Sequence, residues 1–299
     1  MTTTDLHFYL PSPLREDSAA GEVNIATRIA AAVAPLGWRA VWHGDNAEER
    51  ALAAGPGYHL FHMQDPIGPR CLNLRRAYAY PFWQIEATND RREFDVAQAS
   101  FDPESVDMDS ARPFFRRMGR KLLGEGETTP ESFVFMPLQG KLREHRSFQA
   151  MSPQAMIETT LDRLPGRQIR ATLHPRESYD AEDLAMLAAV EARFPRFCLI
   201  RADAGPLVRA CDLVVTQNSS VALSGVFARR PAVLFAGADF HHIAGSVPQG
   251  GVEAAFAKAR RRAPFVAYGY WFFRSCVNAG APDVSDQIVA RFRRHGWPV

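Results

Sequence analysis

The sequence predicts an α/β fold built from two open parallel-sheet domains facing a cleft. Three observations lead there. Short β-branched apolar runs alternate with helical stretches, the rhythm of parallel strands joined by crossover helices. That rhythm occurs twice, from Leu6 to His62 and again from Phe133 to Ala236. Between the two lies Gly124-Glu-Gly-Glu-Thr-Thr-Pro130, a run of turn-forming residues that reads as a linker. We therefore expect one α/β domain over residues 1–125 and a second over residues 126–299. A chain of 299 residues, 46% of them hydrophobic, has enough apolar material for two such cores.

Leu6 to Leu10 reads as the first strand, followed by a Pro11-Ser-Pro13 loop. From Glu22 to Leu36 the residues Ile25, Ile29, Ala32, Val33 and Leu36 share one helical face, and Gly37 closes the helix. Trp38 to His43 is a second strand, Ala47 to Ala54 a weaker helix, and Tyr58 to His62 a third strand. Arg75 to Asp95 crowds Tyr78, Tyr80, Phe82 and Trp83 ahead of polar residues, and reads as a strand and loop at a cleft wall. Ser110 to Leu123 is a basic amphipathic helix. The second rhythm opens with a strand from Phe133 to Leu138 and a polar loop from Gln139 to Phe148. Ser152 caps a helix with Pro153 at its first position, running to Leu164. Ile169 to Leu173 is a strand ending in His174-Pro175. Ala181 to Phe194 is a helix, Phe197 to Arg201 a strand, and Gly205 to Cys211 a short helix. Leu213 to Thr216 is a buried parallel strand, and Gln217 to Ser220 a polar turn. Ser219 or Ser220 caps the helix from Val221 to Ala228, which Arg229, Arg230 and Pro231 end. Ala232 to Ala236 is the next strand. The tail from Val252 to His295 is mainly helical, with breaks at Ala263-Pro264 and Gly280-Ala-Pro282. Its crowded aromatics, Tyr268, Tyr270, Trp271, Phe272 and Phe273, read first as core, then as interdomain contact, then as membrane-edge contact.

A net charge of +2 creates no field that would draw nucleic acid. The basic runs Arg260 to Arg262, and Arg291 with Arg293 and Arg294, read as solvated helix faces. Cys71, Cys198, Cys211 and Cys276 have no metal spacing and read as free thiols of a reducing cytoplasm. The N-terminus shows no signal-peptide pattern, and no run of about 18 apolar residues is present to span a bilayer.

In an open parallel sheet, ligands bind beyond the carboxyl ends of the strands. Three strands of the second half end there in polar groups: Gln139, His174, and Gln217-Asn218-Ser219-Ser220. Two hydroxyls at a helix N-terminus suit phosphate oxygens, and a neighbouring histidine suits proton or hydrogen-bond donation to the same group. Taken singly, a serine pair is a plain cap and a His-Pro a plain turn; their shared sheet edge favours a site. Asp239, His241 and His242 could suggest a metal. Adjacent histidines point apart on most backbones, however, so no metal is expected; His241 or His242 is placed at the donor sugar or acceptor instead, with His241 taken as the donor-site residue. No glycine-rich fingerprint follows the first strand, which argues against a dinucleotide cofactor.

Residues 130 to 245 resemble the donor domain of GT-B glycosyltransferases, whose halves are Rossmann-like. More narrowly, they are similar to the capsular polysaccharide synthesis family that includes retaining β-Kdo transferases, and to bacterial sialyltransferases with His-Pro and Ser-Ser motifs. The residues concerned are Phe135-Met-Pro-Leu-Gln139, Leu173-His-Pro175, Gln217-Asn-Ser-Ser-Val-Ala-Leu223 and Arg230-Pro-Ala-Val-Leu-Phe235. The resemblance implies a nucleotide-sugar donor, such as CMP-Kdo, bound without a metal or separate cofactor. Ser219 and Ser220 would hold the phosphate and His174 the leaving group. It also implies an acceptor-side first domain, a glycan or glycolipid acceptor, and a cytoplasmic protein at the inner face of the membrane. In that family a carboxylate of the acceptor domain works near the anomeric carbon. Glu86, Asp90 and Asp65 are candidates, with Glu86 preferred, although the first half matches no motif of the family. The alternatives are a nucleotide-sugar epimerase or hydrolase, and a non-catalytic partner protein.

Overall fold

The computed structural model describes residues 4–126 and 131–299. Part of the expected linker, residues 127–130, lies outside the described residues. The chain forms two compact units, one running to Ala99 and including Phe272–Val299, the other spanning Ser100–Trp271.

The first unit holds β1 (Thr4–Leu10), β2 (Trp38–Gly44), β3 (Tyr58–His62), β4 (Cys71–Arg76) and β5 (Phe82–Glu86). The second holds β6 (Phe133–Pro137), β7 (Gln168–Thr172), β8 (Phe197–Leu199), β9 (Leu213–Thr216), β10 (Ala232–Leu234) and β11 (Gly245–Ser246). A two-residue β12 (Val277–Asn278) returns to the first sheet. The fold is therefore α/β and GT-B-like, with two six-stranded, parallel-dominated sheets.

The first sheet runs β12-β5-β4-β3-β1-β2; β1 to β4 are parallel, and β5 and β12 are antiparallel additions at one side. The second sheet is wholly parallel, in the order β11-β10-β9-β6-β7-β8. Numbered from its own first strand this is 6-5-4-1-2-3, the doubly wound nucleotide-binding order, whose direction reverses between β6 and β9.

Local chemistry accounts for most boundaries. Asn24 caps Ile25–Val33 in a reciprocal capping box with Thr27, and Gly37 leaves that segment at φ 82°, a left-handed conformation suited to glycine. Asp107 caps Met108–Leu123, Ser152 caps Pro153–Arg163, and Asp180 caps Ala181–Arg193. Pro11-Ser-Pro13 is not a loop but the start of a helix, Ser12–Ala19. Pro11 holds the extended N-cap conformation and Pro13 lies in the first turn, where its missing N–H costs nothing. The stretch 75–95 forms the antiparallel β4–β5 pair, then the short helix Asp95–Gln98.

Residues 126–299, read from sequence as one domain, are shared between the units. Ile288, Phe292 and Trp297 of the tail are buried in one cluster with Leu6, Phe8, Ile29 and Leu60. The second core gathers Val134, Met136, Ile157, Leu161, Ile169, Val215 and Val233. The crowded aromatics lie on the helix Phe265–Arg274; Tyr268, Phe272 and Phe273 are buried and Tyr270 and Trp271 half-buried, so the core reading holds for three of them. None of the four cysteines forms a disulfide. No helix among the described residues is long and apolar enough to cross a membrane.

Candidate functional site

Register places three of the expected site segments side by side. Pro137 lies opposite Thr172, and the Leu138 N–H donates to the Thr172 carbonyl at 2.8 Å, so Gln139 and His174 leave the sheet at the same level. Phe135 lies opposite Val214, and beyond it the Asn218 N–H donates to Gln139 Oε1 at 3.3 Å. That contact spans β6 and β9, where the strand order reverses and where such sheets bind ligands. Asn218 Nδ2 also donates to the Gly237 carbonyl at 3.1 Å, tying in the loop after β10.

Each residue then has a distinct part. Ser219 is the N-cap of Ser220–Phe227: its Oγ accepts from Val221 N–H at 3.3 Å, and it is 7% exposed. Ser220 is exposed, and its N–H is the first of the helix, without an intrahelical acceptor. The hydroxyl of an exposed residue, a helix N–H with no intrahelical acceptor and the positive helix end thus coincide at Ser220. Gln217 is turned inward at 1% exposure, its Nε2 donating to the Met151 carbonyl at 3.1 Å while Oε1 has no hydrogen-bond partner. It braces the strand end rather than lining the edge.

His174 is half-buried. Its Nδ1 accepts the Arg176 N–H at 3.2 Å, which leaves the proton of the neutral ring on Nε2, and its own N–H donates to the Tyr179 hydroxyl at 2.8 Å. The loop is thus wound so that the imidazole presents a donor. Beside it lies a cavity of about 560 Å³ lined in part by Lys141, Arg143, Tyr179 and Asp180. Arg143 there is held by Asp180, Glu182 and Asp183.

His241 donates from Nδ1 to the Ala238 carbonyl at 2.8 Å. Contrary to expectation, its ring does not point away from His242: the two stack with centroids 4.3 Å apart and planes 16° apart. The backbone turn after Ala238 brings both rings to one side, and His242 continues to the Tyr268 hydroxyl at 3.2 Å.

A carboxylate that sequence reasoning missed stands at this edge. Glu177 donates its N–H to the His174 carbonyl at 3.2 Å, and its side chain covers Gly140 so closely that a Cβ there would fall 2.5 Å from Oε2. The spacing of Gly140 and Glu177 in sequence gives no sign of this contact.

The carboxylates expected from the first half have partners within their own unit. Asp65 accepts the Asn89 N–H at 3.2 Å, and Asp90 caps a short turn and pairs with Arg92, which lowers its pKa. Glu86 is 3% exposed and accepts the Asp95 N–H at 2.9 Å. Among the described residues, Glu86, Asp95 and His295 form the one group whose ligand-type atoms lie within 4.8 Å of one another. Asp95 is also paired with Arg291 at 2.9 Å and with Arg294, so two cations already face this acidic cluster. These arginines were read as a solvated face; two of the three are instead partners of an acidic cluster.

No protein-family model matches the sequence, and no curated protein matches it. Among solved structures, the chain is similar to Thermosulfurimonas dismutans KpsC, β-Kdo 2,7 transferase, at 11% identity and TM-score 0.53, over 97% of this chain and 99% of that one. It also matches the β-Kdo 2,4 transferase of the same protein, at 11% identity and TM-score 0.46, over 90% of each chain. A third match is Methanocaldococcus jannaschii UDP-GlcNAc 2-epimerase, at 10% identity and TM-score 0.34, over 99% and 100%. The first of these is a likeness of fold.

Proposed function

We propose that the chain is a metal-independent glycosyltransferase that takes its sugar from a nucleotide-activated donor. The observation that carries this reading is the row His174, Gln139, Asn218 at the point where the second sheet reverses its strand order, with the open helix start at Ser220 beside it. There the Ser220 hydroxyl and N–H receive the donor phosphate, and the helix dipole offsets part of its charge. His174 donates from Nε2 to the departing phosphate oxygen, while Gln139, Asn218 and Gln217 keep the strand ends in register. His241 lies in the next loop of the same edge and contacts the sugar or acceptor.

In its finer form, the donor is a CMP-linked sugar such as CMP-Kdo, and the acceptor a glycan or glycolipid of bacterial surface or capsular polysaccharide. The reaction takes place in the cytoplasm at the inner face of the membrane. The pairing of His-Pro with Ser-Ser supports this form. Two carboxylates compete for the work at the anomeric carbon: Glu86, from the first unit, and Glu177, at the edge itself.

Thermal denaturation with CMP and with UDP tests donor class, because a ligand bound only by the folded chain raises its apparent stability. A shift with CMP and not UDP is expected; no shift with either at millimolar concentration overturns the donor reading. His174→Ala is expected to lower turnover about 10²-fold or more with donor affinity kept. Ser220→Ala is expected to weaken donor binding instead. Wild-type behaviour in both variants overturns the site. Glu177→Gln and Glu86→Gln, assayed side by side, identify the carboxylate by which one abolishes turnover while leaving donor binding intact. Donor cleavage without acceptor would favour a hydrolase or epimerase, and binding without any turnover a partner protein.

A further inference from the structure

A second candidate site lies at the opposite edge of the same sheet. It is a groove of about 550 Å³ whose walls carry five arginines and, among the described residues, no carboxylate. Arg116 and Arg120 lie one turn apart on Met108–Leu123; Arg209 comes from Ala204–Ala210; Arg229 and Arg230 follow Ser220–Phe227. Arg230 stands just ahead of β10, so the groove opens at the amino ends of the strands, away from His174 and Asn218.

The plain explanation is helix capping, and it covers part of the charge. Three helices end here, and each C-terminus carries about half a negative charge. Arg209 donates to the Leu123 carbonyl, and Arg230 to the Arg209 carbonyl. Even with Arg209 set aside, four positive charges less about one and a half leave more than two. Arg116, Arg120, Arg229 and Arg230 have no ion-pair partner among the described residues. Arg230 Nε is enclosed without an acceptor, an N–H that costs free energy unless something supplies one. Arg229 sits in the left-handed region at φ 57°, its guanidinium 5.7 Å from the centre of the Phe115 ring. Among the described residues, Arg116, Arg120, Arg229 and Arg230 thus gather like charges from two parts of the chain with no ion-pair partner to offset them.

We propose that this groove binds a phosphate-bearing anion, through bidentate donation from Arg116, Arg120 and Arg229 and with the enclosed Arg230 beneath. The guanidinium fork fits two phosphate oxygens, and exposed side chains from two elements can close on the anion from both sides. The inference is independent of the reaction proposed for the other edge.

Calorimetric titration of the full chain with inorganic pyrophosphate tests it. Because Ser220 offers another place for phosphate, the titration is repeated on Ser220→Ala. Saturable binding is expected in both. It should weaken about tenfold or more in the Arg116→Gln/Arg120→Gln pair and in Arg229→Asn, while Arg260→Gln/Arg261→Gln, on another exposed run, leaves it unchanged. These side chains are exposed, and circular dichroism checks that the fold persists. Flotation with phosphatidylcholine vesicles, with and without phosphatidic acid, separates the sources of the phosphate. Recruitment by phosphatidic acid that the arginine changes abolish assigns a lipid headgroup; pyrophosphate binding without recruitment assigns a soluble phosphate compound. Absence of both, or binding indifferent to Arg116, Arg120 and Arg229, overturns the proposal.

Discussion

Three imidazoles on the first sheet show how burial rather than residue type sets behaviour. His7 Nδ1 and His43 Nε2 share a hydrogen bond of 2.9 Å, His7 and His59 stack at 4.8 Å, and Tyr9 bonds His59 at 3.1 Å. Burial lowers the pKa of all three, and pushes that of His59, which the neighbouring His7 lowers further, down to about 4. A histidine neutral when folded and ordinary when unfolded binds more protons in the unfolded chain between those values. Stability is therefore full above about pH 6.5 and falls as the pH drops toward 4, by an amount on the order of 3 kcal/mol for His59. Urea denaturation at stepped pH should show that slope, and His59→Gln should flatten it; an unchanged slope would reject His59 as its source. Glu86 makes a second case. Glu86→Ala strips the Asp95 N–H of its acceptor, and about 2 kcal/mol of stability should be lost, seen as a fall of several degrees in melting temperature. Sequence could place these residues on strands, but it could not show that they meet, because their partners lie on other strands or, for Glu86, past an intervening turn.

At the scale of the element, the helix Ser220–Phe227 separates its two serines. Ser219→Ala removes the cap and should cost about 1 kcal/mol, whereas Ser220→Ala should leave the melting temperature near its starting value. Equal destabilisation by both would mean that both are caps. Gly245 marks another close approach: a Cβ there would lie 2.0 Å from the Ala255 carbonyl oxygen, which belongs to backbone and cannot swing aside. Gly245→Ala should displace β11 from the helix behind it at a cost of about 3 kcal/mol or more, measurable by denaturant unfolding. The elements themselves were largely legible. Caps at Ser152 and Ser219, glycine at 37 and proline at 231 are local signals, and the matching boundaries follow from them, whereas the helix expected from Glu22 begins only at Ile25, behind its Asn24 cap. Pro11-Ser-Pro13 misled because proline breaks a helix inside but suits its first turn.

The whole molecule depends on pairings that no local signal encodes. Removing residues 272–299 should unfold the first unit, since Ile288, Phe292 and Trp297 complete its core, and hydrogen exchange across residues 4–99 would report the loss. Persistent protection in β1 and β3 would show that the core is complete without the tail. Sequence by itself determined the α/β class, the two sheets and the polar groups at three strand ends, because period, caps and turn chemistry act within a few residues. Only the tertiary structure decided the strand order, and with it the meeting of Asn218 and Gln139 at the reversal. The tail's return to the first sheet, Glu177 against Gly140 and the five gathered arginines were likewise settled there. The reason is physical: each of these joins residues far apart along the chain, and such contacts are fixed by how cores close rather than by any preference of the residues taken alone.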